Sequence, residues 1–121
     1  MTATRELKPS DVLDHAATIM EYWGWAQGSF LKPSGAMCHV GAIRAASGYY
    51  THMDSRDGWY ISRTDDRCAA LMQEATFFDA QAINAEMNRS VVVWNDSICE
   101  SQEEAIAKLR EAAELARSVG R

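Results

Sequence analysis

The sequence predicts a mostly α fold: a compact single domain of four to five helices around a central apolar helix at residues 36–46. Three observations lead there. Apolar residues recur at helical spacing across 10–23, 64–75 and 101–116, the pattern of a helix with one face in a core. Each of these stretches opens on a residue suited to capping, Ser10, Thr64 or Ser101. Between them AMCHVGAIRAA has only His39 and Arg44 as polar side chains, and a helix apolar nearly all round is buried on most of its surface. A chain of 121 residues suits one domain and buries roughly two-thirds of its unfolded surface. The expected organisation is a flexible lead-in at 1–9 and one globular domain at 10–121.

In chain order, Ser10 caps a first helix and Asp11 complements its dipole. Val12, Leu13, Ala16, Ile19, Met20 and Trp23 form its apolar face, and Gly24 stops it. His15 lies off that face, in solvent. Residues 25–35 alternate aromatic and polar types and end in the turn Lys32-Pro33-Ser34-Gly35, which allows a short hairpin or strand. The central helix follows. GYYTHMDSRDGWYISR, from Gly48 to Arg63, reads as a long irregular stretch with an Asp57-Gly58 turn. Cys68, Leu71, Met72 and Ala75 mark the next helix, with Phe77-Phe78 packing at its end and a weaker helix over 79–88. SVVVWND is β-branched and apolar, and a short strand at 90–94 competes there with a helical turn. Ser101-Gln-Glu-Glu104 is a capping box opening the last helix, whose stripe is Ala105, Ile106, Leu109, Ala112, Ala113 and Ala116.

The net charge of −5, with Lys and Arg scattered singly, argues against nucleic acid, which needs a basic stripe to displace counterions. No apolar run approaches the ~20 residues of a membrane span. The first residues, MTATRELKPSD, have no apolar core of a signal peptide, so the cytoplasm is the expected compartment. Cys38, Cys68 and Cys99 are odd in number and form no C-x-x-C pair, so neither a disulfide framework nor a zinc site is expected. No metal and no cofactor are expected, and no phosphate-binding Gly-rich loop is present.

Two site hypotheses remain. In one, Cys38 is a thiol nucleophile at the start of the central helix, where a helix N-terminus and an imidazole lower a thiol pKa. His52 is its base, Asn95 or Asp96 orients that base, and Gln27 donates to an oxyanion. His39 is a poor base, because neighbouring helical residues point about 100° apart. The competing reading makes Cys38 a small buried hydrophobe among Met37, Val40 and Ala42. In the other hypothesis the protein binds another protein through Tyr49, Tyr50, Arg56, Trp59, Tyr60 and Arg63, a concentration of the types enriched at binding hot spots.

GWAQG, the downstream MCHVGAI and VVWND together resemble a family of small uncharacterised proteins from actinobacteria and their phages. Its members run as G-W-x-Q-G, C-x-x-G-A-I and W-N-D. The resemblance spans Ser10 to Leu115 and rests on Trp25, Gln27, Gly28, Cys38, Gly41, Ala42, Trp94, Asn95 and Asp96. Relatives carry a second cysteine where this chain has Ala26, and Pro-Gly-Arg where it has Ile98-Cys99-Glu100. The resemblance implies no activity. It does imply an actinobacterial or phage origin, for which an adaptor or inhibitor of a host protein is the expected role by analogy.

Overall fold

The computed structural model describes residues 7–48, 50–54, 58–61, 66–84 and 88–121, with residues 50–54, 58–61, 66 and 88–90 described as backbone only. Among them are the helices α1 (Pro9–Trp23), α2 (His39–Ala46), α3 (Asp66–Ala82), α4 (Asn88–Val93) and α5 (Gln102–Ser118), and the strands β1 (Tyr50–Asp54) and β2 (Gly58–Ile61). A π-helical turn, Trp94–Ile98, continues α4. The molecule is mostly helical, as the apolar periodicity requires. No described helix is long and apolar enough to cross a membrane.

Helix α1 begins two residues earlier than its sequence signals. Pro9 is its first residue, where a missing N–H costs nothing, and Lys8 is the N-cap. Asp11 accepts from the Lys8 N–H at 3.0 Å, while Ser10 lies inside the helix, buried. Gly24, at φ 101°, ends α1 and donates to the Met20 carbonyl at 2.8 Å. Val12, Leu13, Ala16, Ala17 and Met20 are buried, but Trp23 is half-exposed. Its indole lies across the turn at Gly35, where a Cβ would sit 2.6 Å from it.

The 25–35 segment forms no hairpin. Two isolated bridges, Trp25 with Met37 and Leu31 with Met37, fold it over residues 35–38. Gly28 at φ 78° turns the chain out of the extended conformation that strands need. Antiparallel pairing occurs instead between 50–54 and 58–61, in a stretch expected to be irregular: Met53 pairs with Trp59, His52 with Tyr60 and Asp54 with Gly58.

The central helix starts at His39 rather than residue 36, with Cys38 as its N-cap. The burial expected of it holds for His39, Val40, Gly41, Ala42, Ile43 and Ala46. Gly41 is required: a Cβ there would lie 1.9 Å from the Phe30 carbonyl oxygen, so the 24–32 loop rests directly on the helix backbone. Helix α3 runs unbroken through Phe77-Phe78 and includes residues 79–82, because no Gly or Pro interrupts 66–82. Between the strand and the helical turn that 90–94 allows, the structure takes the helical one, as α4 and the π-turn. Val91 is fully buried and Val93 half-exposed, so tertiary packing overrides the β-preference of the three valines.

Helix α5 is capped by Ser101, whose hydroxyl accepts from Glu104 N–H at 3.1 Å. Glu104 reaches back to the Glu100 N–H at 2.7 Å, one residue before the partner of a standard capping box. Ala16 and Ala17 of α1 and Ala105, Ala112, Ala113 and Ala116 of α5 are fully buried, and these two helices make the most extensive helix pair. Leu13, Met20, Ile43 and Leu109 fill the space between them and α2; each contributes roughly 1.5–3 kcal/mol by leaving water.

Candidate functional site

The residues of GWAQG, the α2 cap and WND meet in one place, and Asn95 is where they join. Its side chain is fully buried. Its Oδ1 accepts from Trp25 Nε1 at 2.9 Å and from the His39 backbone N–H at 3.0 Å. Its Nδ2 donates to the Ala26 carbonyl and to Asp96 Oδ1, both at 2.9 Å. All four of the amide's hydrogen-bonding positions are thereby used.

Gln27 acts on the same turn. Wrapping Trp94 to Ile98 as a π-turn pairs the Cys99 N–H with the Trp94 carbonyl at 2.8 Å and leaves neighbouring carbonyls without helical donors. Gln27 Nε2 serves them, its two hydrogens shared among the carbonyls of Asn95, Asp96 and Cys99 at 3.1, 3.2 and 3.3 Å. The Gly28 N–H then donates to Asp96 Oδ1 at 3.0 Å. These bonds lock the 25–28 loop to the π-turn.

Cys38 is buried, and its sulfur accepts from the Gly41 N–H at 3.4 Å. Burial pushes the thiol above its ordinary value, against the lowering effect of the Gly41 and Val40 amides; the Asp96 charge adds to the rise and Arg44 subtracts from it. A neutral sulfur at a helix start is a cap and a packing group, and its nucleophilicity at neutral pH is low. Cys99, also buried, is pushed up to about 11 by burial first and by the nearby Glu104 and Glu100.

Of the five residues proposed for thiol chemistry, Cys38 and Asp96 line one small cleft of ≈ 150 Å³, together with Gly28, Ser29, Phe30 and Val92. Asn95 and Gln27 adjoin it with their amides engaged as above. The His52 side chain lies outside the described residues. So do the side chains of Tyr50, Trp59 and Tyr60, while Tyr49, Arg56 and Arg63 are outside them altogether. A larger groove of ≈ 750 Å³ lies among Lys8, Pro9, Arg67, Leu71, Glu74 and Arg121, remote in sequence from every motif. The chain leaves the described residues at its edges, before Leu7 and before Asp66. Among the described residues no group of three His, Cys, Asp or Glu side chains is placed to hold a metal ion.

One polar pair was not legible in the sequence. His39, fully buried, sets Nδ1 2.7 Å from Asp79 Oδ2 and Nε2 2.8 Å from the Ala105 carbonyl. The carbonyl only accepts, so Nε2 carries a hydrogen, and a second proton lies between Nδ1 and the carboxylate. Trp94 packs edge-on against the imidazole, with centroids 4.9 Å apart. Asp79 Oδ1 has no hydrogen-bond partner among the described residues. A lone histidine on an apolar helix does signal a buried polar contact, but Asp79 is 40 positions away and nothing local marks it.

What these features define is a small helical domain in which two separated sequence motifs are joined by a buried asparagine beside a narrow, carboxylate-bearing cleft. The chain belongs to the family of unknown function DUF6197, whose model matches residues 4–115. No curated protein and no solved structure was found to match it.

Proposed function

We propose that the protein is a cytoplasmic protein-binding module of actinobacterial or phage origin, an adaptor or inhibitor of a host protein, and that it catalyses no reaction. The observation that carries this reading is the commitment of its chemically useful side chains to the fold. Gln27 and Asn95 spend their amides on backbone carbonyls and on each other's segments, and the Cys38 thiol is neutral and buried. Large apolar side chains meanwhile remain outside: Tyr22 is 82% and Phe77 57% exposed, the kind of residue that anchors interfaces. The 49–63 segment, with Tyr49, Tyr50, Arg56, Trp59, Tyr60 and Arg63, is the proposed contact surface.

A second reading, a cysteine-dependent hydrolase or acyl-transfer enzyme, is favoured only by the sharing of one cleft between Cys38 and Asp96. Iodoacetamide labelling of the native protein between pH 6 and 9, read per cysteine by mass spectrometry, separates the two. The binding reading expects half-buried Cys68 to label first, with Cys38 protected until unfolding. Rapid Cys38 labelling at pH 6–7 would overturn it. The positive arm is stoichiometric capture of one defined protein from an actinobacterial lysate, lost in Trp59→Ala and Tyr60→Ala variants that remain folded.

A further inference from the structure

The cleft between the 28–30 loop and the π-turn has a shape and a charge that choose an occupant. We propose that it seats one lysine side chain of the protein partner, with the aliphatic stem between Phe30 and Val92 and the ammonium on Asp96. This rests on the protein-binding reading above and names the chemistry of a second contact, apart from the 49–63 surface.

Size is the first argument. Pockets for drug-sized molecules run from about 300 Å³ upward, and this one is ≈ 150 Å³, suited to a single side chain. Three of its six lining residues are apolar: Phe30, 42% exposed, Val92 and Cys38. Such walls accept the methylene stem of a long cationic residue.

Asp96 supplies the charge, already aimed. Its Oδ1 accepts from Gly28 N–H at 3.0 Å and Asn95 Nδ2 at 2.9 Å, so the carboxylate is oriented before anything binds and little ordering remains to be done. Oδ2 takes no hydrogen bond from any described residue. That asymmetry selects lysine over arginine. A guanidinium grips a carboxylate best with two parallel bonds to two free oxygens, whereas an ammonium is a point charge that needs one. The Arg44 guanidinium already lies 4.7 Å from the Phe30 ring centroid, so Phe30 is left to meet the stem, and Asp96 alone supplies the attraction for the ammonium. The net charge of −5 favours approach of a basic partner over longer range.

The probe is n-butylammonium, a lysine side chain without its backbone, titrated at constant ionic strength into the ¹⁵N-labelled full chain. The amides of Gly28, Ser29, Phe30, Val92 and Asp96 are followed by NMR. Expected are saturable shifts at these amides, with n-butanol and n-butylguanidinium binding about tenfold or more weakly. Asp96→Asn keeps an oxygen for Gly28 and Asn95 and so preserves the fold, which spectral dispersion checks; it is expected to lose about tenfold in butylammonium affinity. Equal binding of butanol, unchanged binding by the Asn variant, or shifts that miss these amides would each overturn the proposal. Butylguanidinium binding as tightly would overturn the choice of lysine. If partner capture succeeds while butylammonium fails, only this cleft is lost, whereas rapid Cys38 labelling removes the protein-binding reading itself.

Discussion

At the scale of single residues, Asn95 decides whether the 25–28 loop and the π-turn stay together. Asn95→Ala would strand the Trp25 indole N–H and the buried His39 amide, each an orphan donor. A buried donor without a partner costs about 1–3 kcal/mol, so the variant is expected to lose about 3 kcal/mol in denaturant unfolding. A loss below about 1 kcal/mol would show that water replaces the amide and that the joint does not depend on it. Part of this site was legible in the sequence. Cys38, Asn95, Asp96 and Gln27 were singled out from their residue types, and Cys38 and Asp96 do share a cleft. Their hydrogen-bond partners were not legible, because every bond from Gln27 and three of the four to Asn95 cross more than fifty positions.

At the scale of elements, α2 is where local preference and packing disagree most sharply. Helix propensity alone makes Gly41→Ala stabilising by about 1 kcal/mol. Packing makes it destabilising, since the new methyl would meet the Phe30 carbonyl at 1.9 Å, and backbone yields less readily than a side chain. We expect packing to win by about 1–3 kcal/mol, seen as a lower thermal midpoint together with altered amide signals at residues 28–31. A raised midpoint would mean that the loop lifts off the helix at little cost. The same contest explains residues 90–94. Three valines and a tryptophan favour a strand by propensity, yet the segment is helical because Val91 and Trp94 are both buried, each in its own apolar cluster, while Val93 faces water. Periodicity over five residues is too short to tell these outcomes apart.

For the whole molecule, the His39–Asp79 pair links three helices at once: α2 through the histidine, α3 through the aspartate and α5 through the Ala105 carbonyl. Removing one partner of a buried pair leaves the other uncompensated, at about 3–5 kcal/mol. Asp79→Ala and His39→Ala are each expected to fall in that range by urea unfolding, and the double variant to cost clearly less than their sum. Additive losses would mean that the two side chains act separately. Because the pair spans α2, α3 and α5, its loss should lower protection from hydrogen exchange in all three helices together rather than in one.

By itself the sequence determined the helices that carry an apolar stripe, namely α1, α3 and α5, with the Ser101 cap of the last, together with the burial of α2; the cap expected at Thr64 lies outside the described residues. Those properties depend on neighbours within four residues, where spacing is geometry. Only the tertiary structure decided that 50–54 pairs with 58–61 as strands, that 90–98 is helical, that Cys38 is a neutral cap, and that His39 meets Asp79. Each of those outcomes depends on groups far apart along the chain, whose desolvation and pairing outweigh a local preference of about 1 kcal/mol or less.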